Sequence, residues 1–377
     1  MEQNKTTLLQ EANQLFRAKQ YDSALILYRK LQASAVLPTK VVDFNIRLCE
    51  SRLASKALGA AEIASAILGL TANPIAEPTV FVNFDNAQIH SFGTATGTVY
   101  PPVSITLTTI RSRLPMIKPV LESLHSQTVK PAEIILNISH DAYLLDEGIN
   151  ESNPHVRELR ELPLVRINWV KNIGPYRKIW YFLQDHFDSG AIEEKLFITV
   201  DDDTLYPDYF IERLLKEHQQ HDCVVAFRGR RITVDSACVA SYNKWTIGQS
   251  YPSLNNLPTG KDGILYSTKF FTENFLSLAD ALRLAPTADD LWIKWHYALN
   301  GVRSIILNPE ACLSDYKSFP VVDYSPEYRG NSLYASHNSI QAGGKNDVAV
   351  SGLEQYYQST YGYNLMTLIS QLSTEAA

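Results

Sequence analysis

From residue 103 to residue 227 the chain alternates short apolar, β-branched runs with longer stretches whose apolar residues fall at helical spacing. Strand-like runs lie at Val103 to Thr109, Glu133 to Ile138, Val165 to Val170, Leu196 to Val200 and Cys223 to Phe227. Helices are expected up to about Gln127, from Pro175 to Phe187 and over Asp208 to His218. Such alternation leaves few folded solutions, because strands apolar on both sides need helices to cover them. It specifies an α/β sheet, mostly parallel, with helices on both faces. In open sheets of this kind ligands bind beyond the carboxyl ends of the strands, so the residues that follow each strand carry the functional reading.

The most informative of those ends is Leu196 to Val200, which runs directly into Asp201, Asp202 and Asp203 before Leu205-Tyr206-Pro207 turns the chain into a helix. Three adjacent carboxylates repel one another unless water or a cation screens them. A hard divalent ion held by one or two carboxylates plus substrate phosphates is one solution. The plain alternative is an aspartate-rich surface turn.

Further chemistry-bearing residues follow other elements. Thr108 and Thr109 end the first strand and lead into Arg111 and Arg113, which could equally be solvated charges at a helix entry. Asp141 follows the second strand. The segment Asn172-Ile173-Gly174-Pro175-Tyr176-Arg177-Lys178 opens a helix, so Pro175 takes a first-turn position and the positively polarised terminus suits an anion. Arg177 or Lys178 could simply pair with Asp185 or another acid. Gly260 and Gly263 bracket a turn where backbone can approach a ligand. Asp289 and Asp290 fall in the first turn of a helix whose apolar face is Leu291, Trp295, Ala298 and Leu299. Thr287 and Asp290 also match a capping box, which needs no catalysis. Arg228, Arg230 and Arg231 form a basic cluster suited to a diphosphate or to neighbouring acids.

Composition narrows the classes. The 377 residues carry a net charge of −6, which argues against nucleic acid as the main partner. Cys49, Cys223, Cys238 and Cys312 show no paired or zinc-like spacing and are expected as free thiols in a reducing compartment. No secretory signal follows Met1, and the uncharged stretch from Ile63 to Ala76 is too short to span a bilayer. A cytoplasmic protein is expected, peripheral at most at the inner face of the cytoplasmic membrane. No glycine-rich phosphate loop is present, which disfavours a P-loop or a dinucleotide site.

The organisation expected is a helical segment over 1–70, a linker over 71–102 with a strand at Thr79 to Phe84, a catalytic domain over 103–350 and a C-terminal helix or tail over 351–377. In the first segment Leu8, Ala12, Leu15 and Phe16, then Ala24, Leu25, Tyr28 and Leu31, predict two packed helices. Ala12, Tyr21, Ala24 and Tyr28 fall where a tetratricopeptide repeat places its small and aromatic residues. The segment resembles one such repeat. An ordinary helical hairpin is the alternative, and a protein partner or self-association through these helices is the expectation if the resemblance holds.

Taken in order, Val103 to Asp141, Asp201-Asp202-Asp203, the Gly-x-x-Gly-x-Leu-Tyr turn from Gly260 and Pro286-Thr287-Ala288-Asp289-Asp290-Leu291-Trp292 resemble GT-A-fold glycosyltransferases of bacterial surface-polysaccharide loci. The resemblance implies a GT-A fold with a small all-α N-terminal segment. It implies transfer of a sugar from a nucleotide-diphosphate donor, a UDP-sugar by preference, to a hydroxyl of a glycan or lipid-linked glycan. Asp203 would ligate Mn2+ or Mg2+, Asp201 would contact the ribose or the metal through water, and His337 would be a third ligand, although a lone loop histidine is usually none. Thr108, Thr109, Arg111, Asp141, Arg177, Lys178, Asp201, Asp202, Gly260 and Gly263 would bind the nucleotide sugar. Asp290, with Asp289 as second choice, would be the general base. The rival readings are a sugar nucleotidyltransferase and a tetratricopeptide-like adaptor with a degenerate catalytic domain.

Overall fold

The computed structural model describes residues 20–33, 100–235, 238–313, 317–322 and 345–369. It also describes the backbone at 78–82 and 89–93, and single helical positions at 8, 11, 12, 15, 46, 49 and 53. The chain divides into two compact units, Met1–Thr98 and Val99–Ala377.

In the first unit, helix α1 (Tyr21–Ala33) buries Ala24, Tyr28 and Leu31, which recur on one face at helical spacing. They share a small core with Ala12, Ile46 and Cys49. The same unit takes in an antiparallel pair, Pro78–Val82 with Ile89–Gly93, one strand more than the sequence suggested there. Residues 54–70 of the expected helical segment lie outside the described residues.

The second unit is built on seven strands: β1 (Val103–Thr108), β2 (Glu133–Ile138), β3 (Val165–Trp169), β4 (Leu196–Thr199), β5 (Val224–Ala226), β6 (Ile264–Ser267) and β7 (Ser304–Ile306). Their order across the sheet is β7-β5-β6-β4-β1-β2-β3. Every neighbouring pair is parallel except the two made by β6, which runs antiparallel to β4 and β5. The α/β class expected from the alternation is therefore present, with one reversed strand that local periodicity does not reveal.

Side chains alternate across this sheet, so both faces are apolar. Ile198, Val225, Leu265 and Ile305 face one core, where helices α2 (Lys118–His125), α3 (Pro154–Arg160) and α5 (Phe210–His221) pack. Phe197, Val224, Ala226, Tyr266 and Ile306 face the other, with α4 (Arg177–Asp188), α6 (Leu278–Leu284), α7 (Asp289–Leu299) and α8 (Lys345–Tyr361). Ala349, Val350, Leu353 and Tyr357 bury one side of α8 in that second core, so the helix continues the domain through position 350.

Direction decides what meets at the functional edge. The registers Thr106↔Thr199 and Thr108↔Asn137 bring the carboxyl ends of β1, β2 and β4 out together. Because β6 is reversed, with Ile264 opposite Thr199, the turn before it, residues 259–263, arrives at that same edge. Among the described residues no helix is long and apolar enough to cross a membrane.

Candidate active site

The three aspartates after β4 are held in three different ways. Asp202 turns inward: its Oδ2 accepts a hydrogen bond from Thr109 Oγ1 at 2.6 Å and its Oδ1 one from Arg113 Nη1 at 2.8 Å. The Asp201 amide donates to Tyr206 Oη at 2.9 Å, while its carboxylate lies 3.4 Å from Lys178 Nζ. The Asp203 carboxylate accepts from Thr204 Oγ1 at 3.1 Å and stands 3.5 Å from Arg113, and the Asp203 carbonyl accepts from the Val322 N–H at 2.7 Å. The side chains of Asp201 and Asp203 are 32% and 18% exposed, so they are partly buried and not splayed into bulk solvent.

The second acidic pair comes from α7. Asp289 and Asp290 open this helix, and Lys178 Nζ lies 3.1 Å from Asp289 Oδ2 as well as beside Asp201. One buried ammonium therefore joins the strand-end aspartates to the helix-start pair. Burial disfavours its charge, but Asp289, Asp201 and Asp290 outweigh that and hold Lys178 protonated well above the usual range. The Gly260 N–H donates to Asp290 Oδ2 at 3.1 Å. Asp290 Oδ1 is buried without a hydrogen-bond partner. Burial first, then Asp289, push the Asp290 carboxyl up to about 7, against Lys178 and the Gly260 amide, which pull it down. A carboxylic acid poised there is matched to general-base work near neutral pH.

Gly260 is the floor of this cluster. A Cβ at that position would lie 2.6 Å from Lys178 Nζ and 3.4 Å from oxygens of both Asp201 and Asp290, so any side chain displaces the ammonium. Gly263 has φ +84° and lies against Phe210, which makes it a backbone requirement of the turn.

Several sequence-based expectations change. The capping-box reading fails: Ala288 caps α7 without a side-chain hydrogen bond, and Asp290 accepts from the Gly260 amide instead. Arg177 does not face the edge, nor does it pair with Asp185. It is 1% exposed, bonded to Asp146 Oδ2 at 3.0 Å and directed at the carbonyls of Gly174 and Thr109, which makes it a brace beneath the site. Lys178 likewise pairs with Asp201 and Asp289. Arg111 is exposed, 3.5 Å from Glu147. Thr108 Oγ1 donates to the Asn137 carbonyl, and exposed Asp141 receives a hydrogen bond from Asn172 at its own carbonyl. These two residues stand at the same sheet edge as the aspartates but do not touch them. Arg228 bonds Thr259 Oγ1 and the Ala311 carbonyl, and Arg230 bonds the Trp245 carbonyl. His337 lies outside the described residues.

Sequence reasoning missed Tyr206, Asp146 and Asp262, and did not assign Arg113 to Asp202. Each acts through a partner tens of residues away or through backbone, and only tertiary structure reveals such partners. Tyr206 alone had a local signal, an aromatic residue three positions after the aspartate run.

Oxygen-only donors that are partly exposed, next to a buried and unpartnered carboxylate oxygen, suit a hard divalent ion. Asp203 and Asp201 would hold it, with phosphate or water oxygens completing the shell. No trio of carboxylates at this edge converges closely enough to do so alone among the described residues. The one group that does, Glu194, His218 and Asp222, already contains an ammonium: Lys269 Nζ lies 2.7 Å from Asp222 and 3.2 Å from Glu194.

No protein-family model matches the chain, and no curated protein matches it. Solved structures that align with it include residues 1–349 of TarS from S. aureus, 15% identical, covering 70% of this chain and 73% of that one, with a TM-score of 0.34. The complex of the same TarS segment with UDP-GlcNAc is 13% identical and covers 69% of this chain and 74% of that one, with a TM-score of 0.35. A 4-diphosphocytidyl-2C-methyl-D-erythritol synthase is 10% identical over 62% of this chain and 99% of that one, with a TM-score of 0.36. Likeness at this level assigns no chemistry to the chain, which must come from its own residues.

Proposed function

We propose that the protein is a GT-A-type glycosyltransferase that moves a sugar from a nucleotide-diphosphate donor, a UDP-sugar by preference, to a hydroxyl of a bacterial surface glycan or its lipid-linked precursor at the inner face of the cytoplasmic membrane. The observation that carries this reading is the meeting of Asp201–Asp203 with Asp289–Asp290 across one buried lysine at the carboxyl edge of the sheet. Two acidic groups with different surroundings serve two different tasks there.

Asp203 and Asp201 would hold Mn2+ or Mg2+, which when bound neutralises the departing diphosphate. Asp202 is occupied by Thr109 and Arg113, so its work is to fix the loop. Arg113, 2.8 Å from Asp202 and 3.5 Å from Asp203, places a guanidinium where phosphate oxygens would arrive. Asp290 accepts the proton of the acceptor hydroxyl as that oxygen bonds to the anomeric carbon; the bond from that carbon to the diphosphate oxygen breaks, and the nucleoside diphosphate leaves with the electron pair. Lys178 forms an ion pair with Asp289 Oδ2, whereas Asp290 Oδ1 is buried without a hydrogen-bond partner.

The test is a panel of nucleotide sugars incubated with the purified protein and Mn2+, following release of the nucleoside diphosphate. Slow donor hydrolysis by the wild type, lost in Asp203→Ala, is expected. Pyrophosphate release from a nucleoside triphosphate and a sugar phosphate would favour the nucleotidyltransferase reading instead. Silence across both panels would falsify the assignment.

A further inference from the structure

The turn that supplies Gly260 also carries a carboxylate that the proposed chemistry does not use. Asp262 is fully buried, yet it adopts φ 73°, a left-handed conformation that costs a residue with a Cβ. Both features are unfavourable for an aspartate. Its two oxygens are spent on one short segment: Ser318 Oγ donates to Oδ2, and the Phe319 N–H donates to Oδ1 at 3.0 Å. Burial drives the Asp262 carboxyl upward, while Lys261, the Ser318 hydroxyl, Arg228 and the Phe319 amide oppose it.

What lies beyond those two donors gives the contact its meaning. Phe319 packs its ring among Tyr206, Phe210 and Phe227, and Tyr206 is the residue that receives the Asp201 amide. The next residues run antiparallel to the aspartate loop. The Leu205 N–H donates to the Pro320 carbonyl at 2.8 Å, Thr204 bridges Val321, and the Val322 N–H donates to the Asp203 carbonyl at 2.7 Å. Residues 317–322 thus form a strap along Asp203–Leu205, fastened at its start by Asp262. Two residues earlier, the Gly260 amide grips Asp290. One five-residue turn is therefore bonded directly to the proposed base and, through the strap, to the proposed metal-binding aspartate.

We infer that Asp262 is a positioning residue for Asp203, acting through the strap 317–322 so that the aspartate loop and the acid pair keep a fixed separation. The functional half of this inference rests on the nucleotide-sugar reading; the mechanical half does not. A hydrogen bond to a buried carboxylate is worth enough that its loss should be read locally before it is read globally.

Asp262→Gly removes both acceptors while relieving the left-handed backbone, and Asp262→Asn keeps an acceptor in the same shape. In the full-length chain, amide exchange at Leu205 and Val322 should accelerate by about tenfold or more in Asp262→Gly and by less than about threefold in Asp262→Asn. Val225 and Leu265, in the sheet core, should exchange as in the wild type. Affinity for UDP in the presence of Mn2+ should follow the same order, weakening about tenfold in the glycine variant and recovering in the asparagine variant. Wild-type exchange at Leu205 and Val322 in Asp262→Gly, or acceleration spread equally to Val225 and Leu265, overturns the inference. If Asp262→Gly does not fold, Ser318→Ala decides, because it removes one of the two bonds: unchanged exchange at Val322 overturns the inference and faster exchange supports it. If the wild type itself ignores UDP and Mn2+, the nucleotide reading falls and the exchange rates still decide the positioning role.

Discussion

Strand β4 has an acidic cluster at each end, and the two could hardly be more different. At its amino end Glu194 joins Asp222 around Lys269, with side chains 40%, 67% and 41% exposed. At its carboxyl end Asp201–Asp203 meet Asp289 and Asp290, with side chains 32% exposed or less where they pair with Arg113 and Lys178. The first cluster is an ordinary solvated ion pair, screened by water and worth little. The second concentrates buried like charges, a carboxyl pushed up to about 7 and an oxygen without a partner. Acidity alone does not mark a site. A cluster of buried, unsatisfied charge at a strand end is a stronger mark, because a ligand or a reaction there offsets its cost in stability.

That contrast can be broken or sharpened by mutation. The largest effect is expected at Asp290: Asp290→Asn should lower turnover by about 10²–10⁴-fold. The same variant should be more stable than the wild type at pH 8. The unfolded chain loses this proton near pH 4 and the folded chain near 7, so the contribution of Asp290 to stability falls as pH rises between those values. Thermal unfolding at pH 5 and pH 8 checks the sign, and wild-type turnover should climb as pH rises through about 7. A turnover profile flat across that window would remove Asp290 from the role of base.

Next comes the cation of the buried end. Arg113→Met leaves Thr109 as the hydrogen-bond donor to the buried Asp202 carboxylate and should cost about 3 kcal/mol in denaturant unfolding. A smaller effect of opposite sign is expected at Lys294, one turn beyond Asp290. Its ammonium is fully buried with no hydrogen-bond partner, 4.8 Å from the Tyr297 ring, and burial lowers its pKa to about 7. Lys294→Met should therefore stabilise by about 1–3 kcal/mol at pH 7. The gain should shrink as pH rises from 7 towards 10, where the unfolded chain also loses the proton. The smallest effect belongs to the exposed cluster: Lys269→Met should cost less than about 1 kcal/mol and the loss should fade in high salt.

The sequence made the local features legible and hid the long-range ones. The strands at Val103, Glu133, Val165 and Leu196, the helix opening at Asp289 and the position of the aspartates at a strand end all follow from periodicity within a dozen residues. Partner choice does not. Arg177 looked like a ligand contact because it opens a helix, yet Asp146, in a loop of no evident pattern, buries it. The reversal of β6 and the strap at 317–322 depend on pairings across the whole domain, and Asp262 gains its role only through them. Asp290 was placed correctly in the first turn of its helix, but its partner proved to be the Gly260 amide, 30 residues away.

The central claim is that Asp203 and Asp201 hold a divalent ion that in turn holds a nucleoside diphosphate. Calorimetric titration of UDP into the full-length protein, with and without Mn2+, tests it most directly when wild type and Asp203→Ala are compared. The account predicts tight UDP binding by the wild type in Mn2+, weakened by about tenfold or more either on omitting the metal or in the variant. Equal UDP affinity in all of these titrations, or none in any, would contradict it.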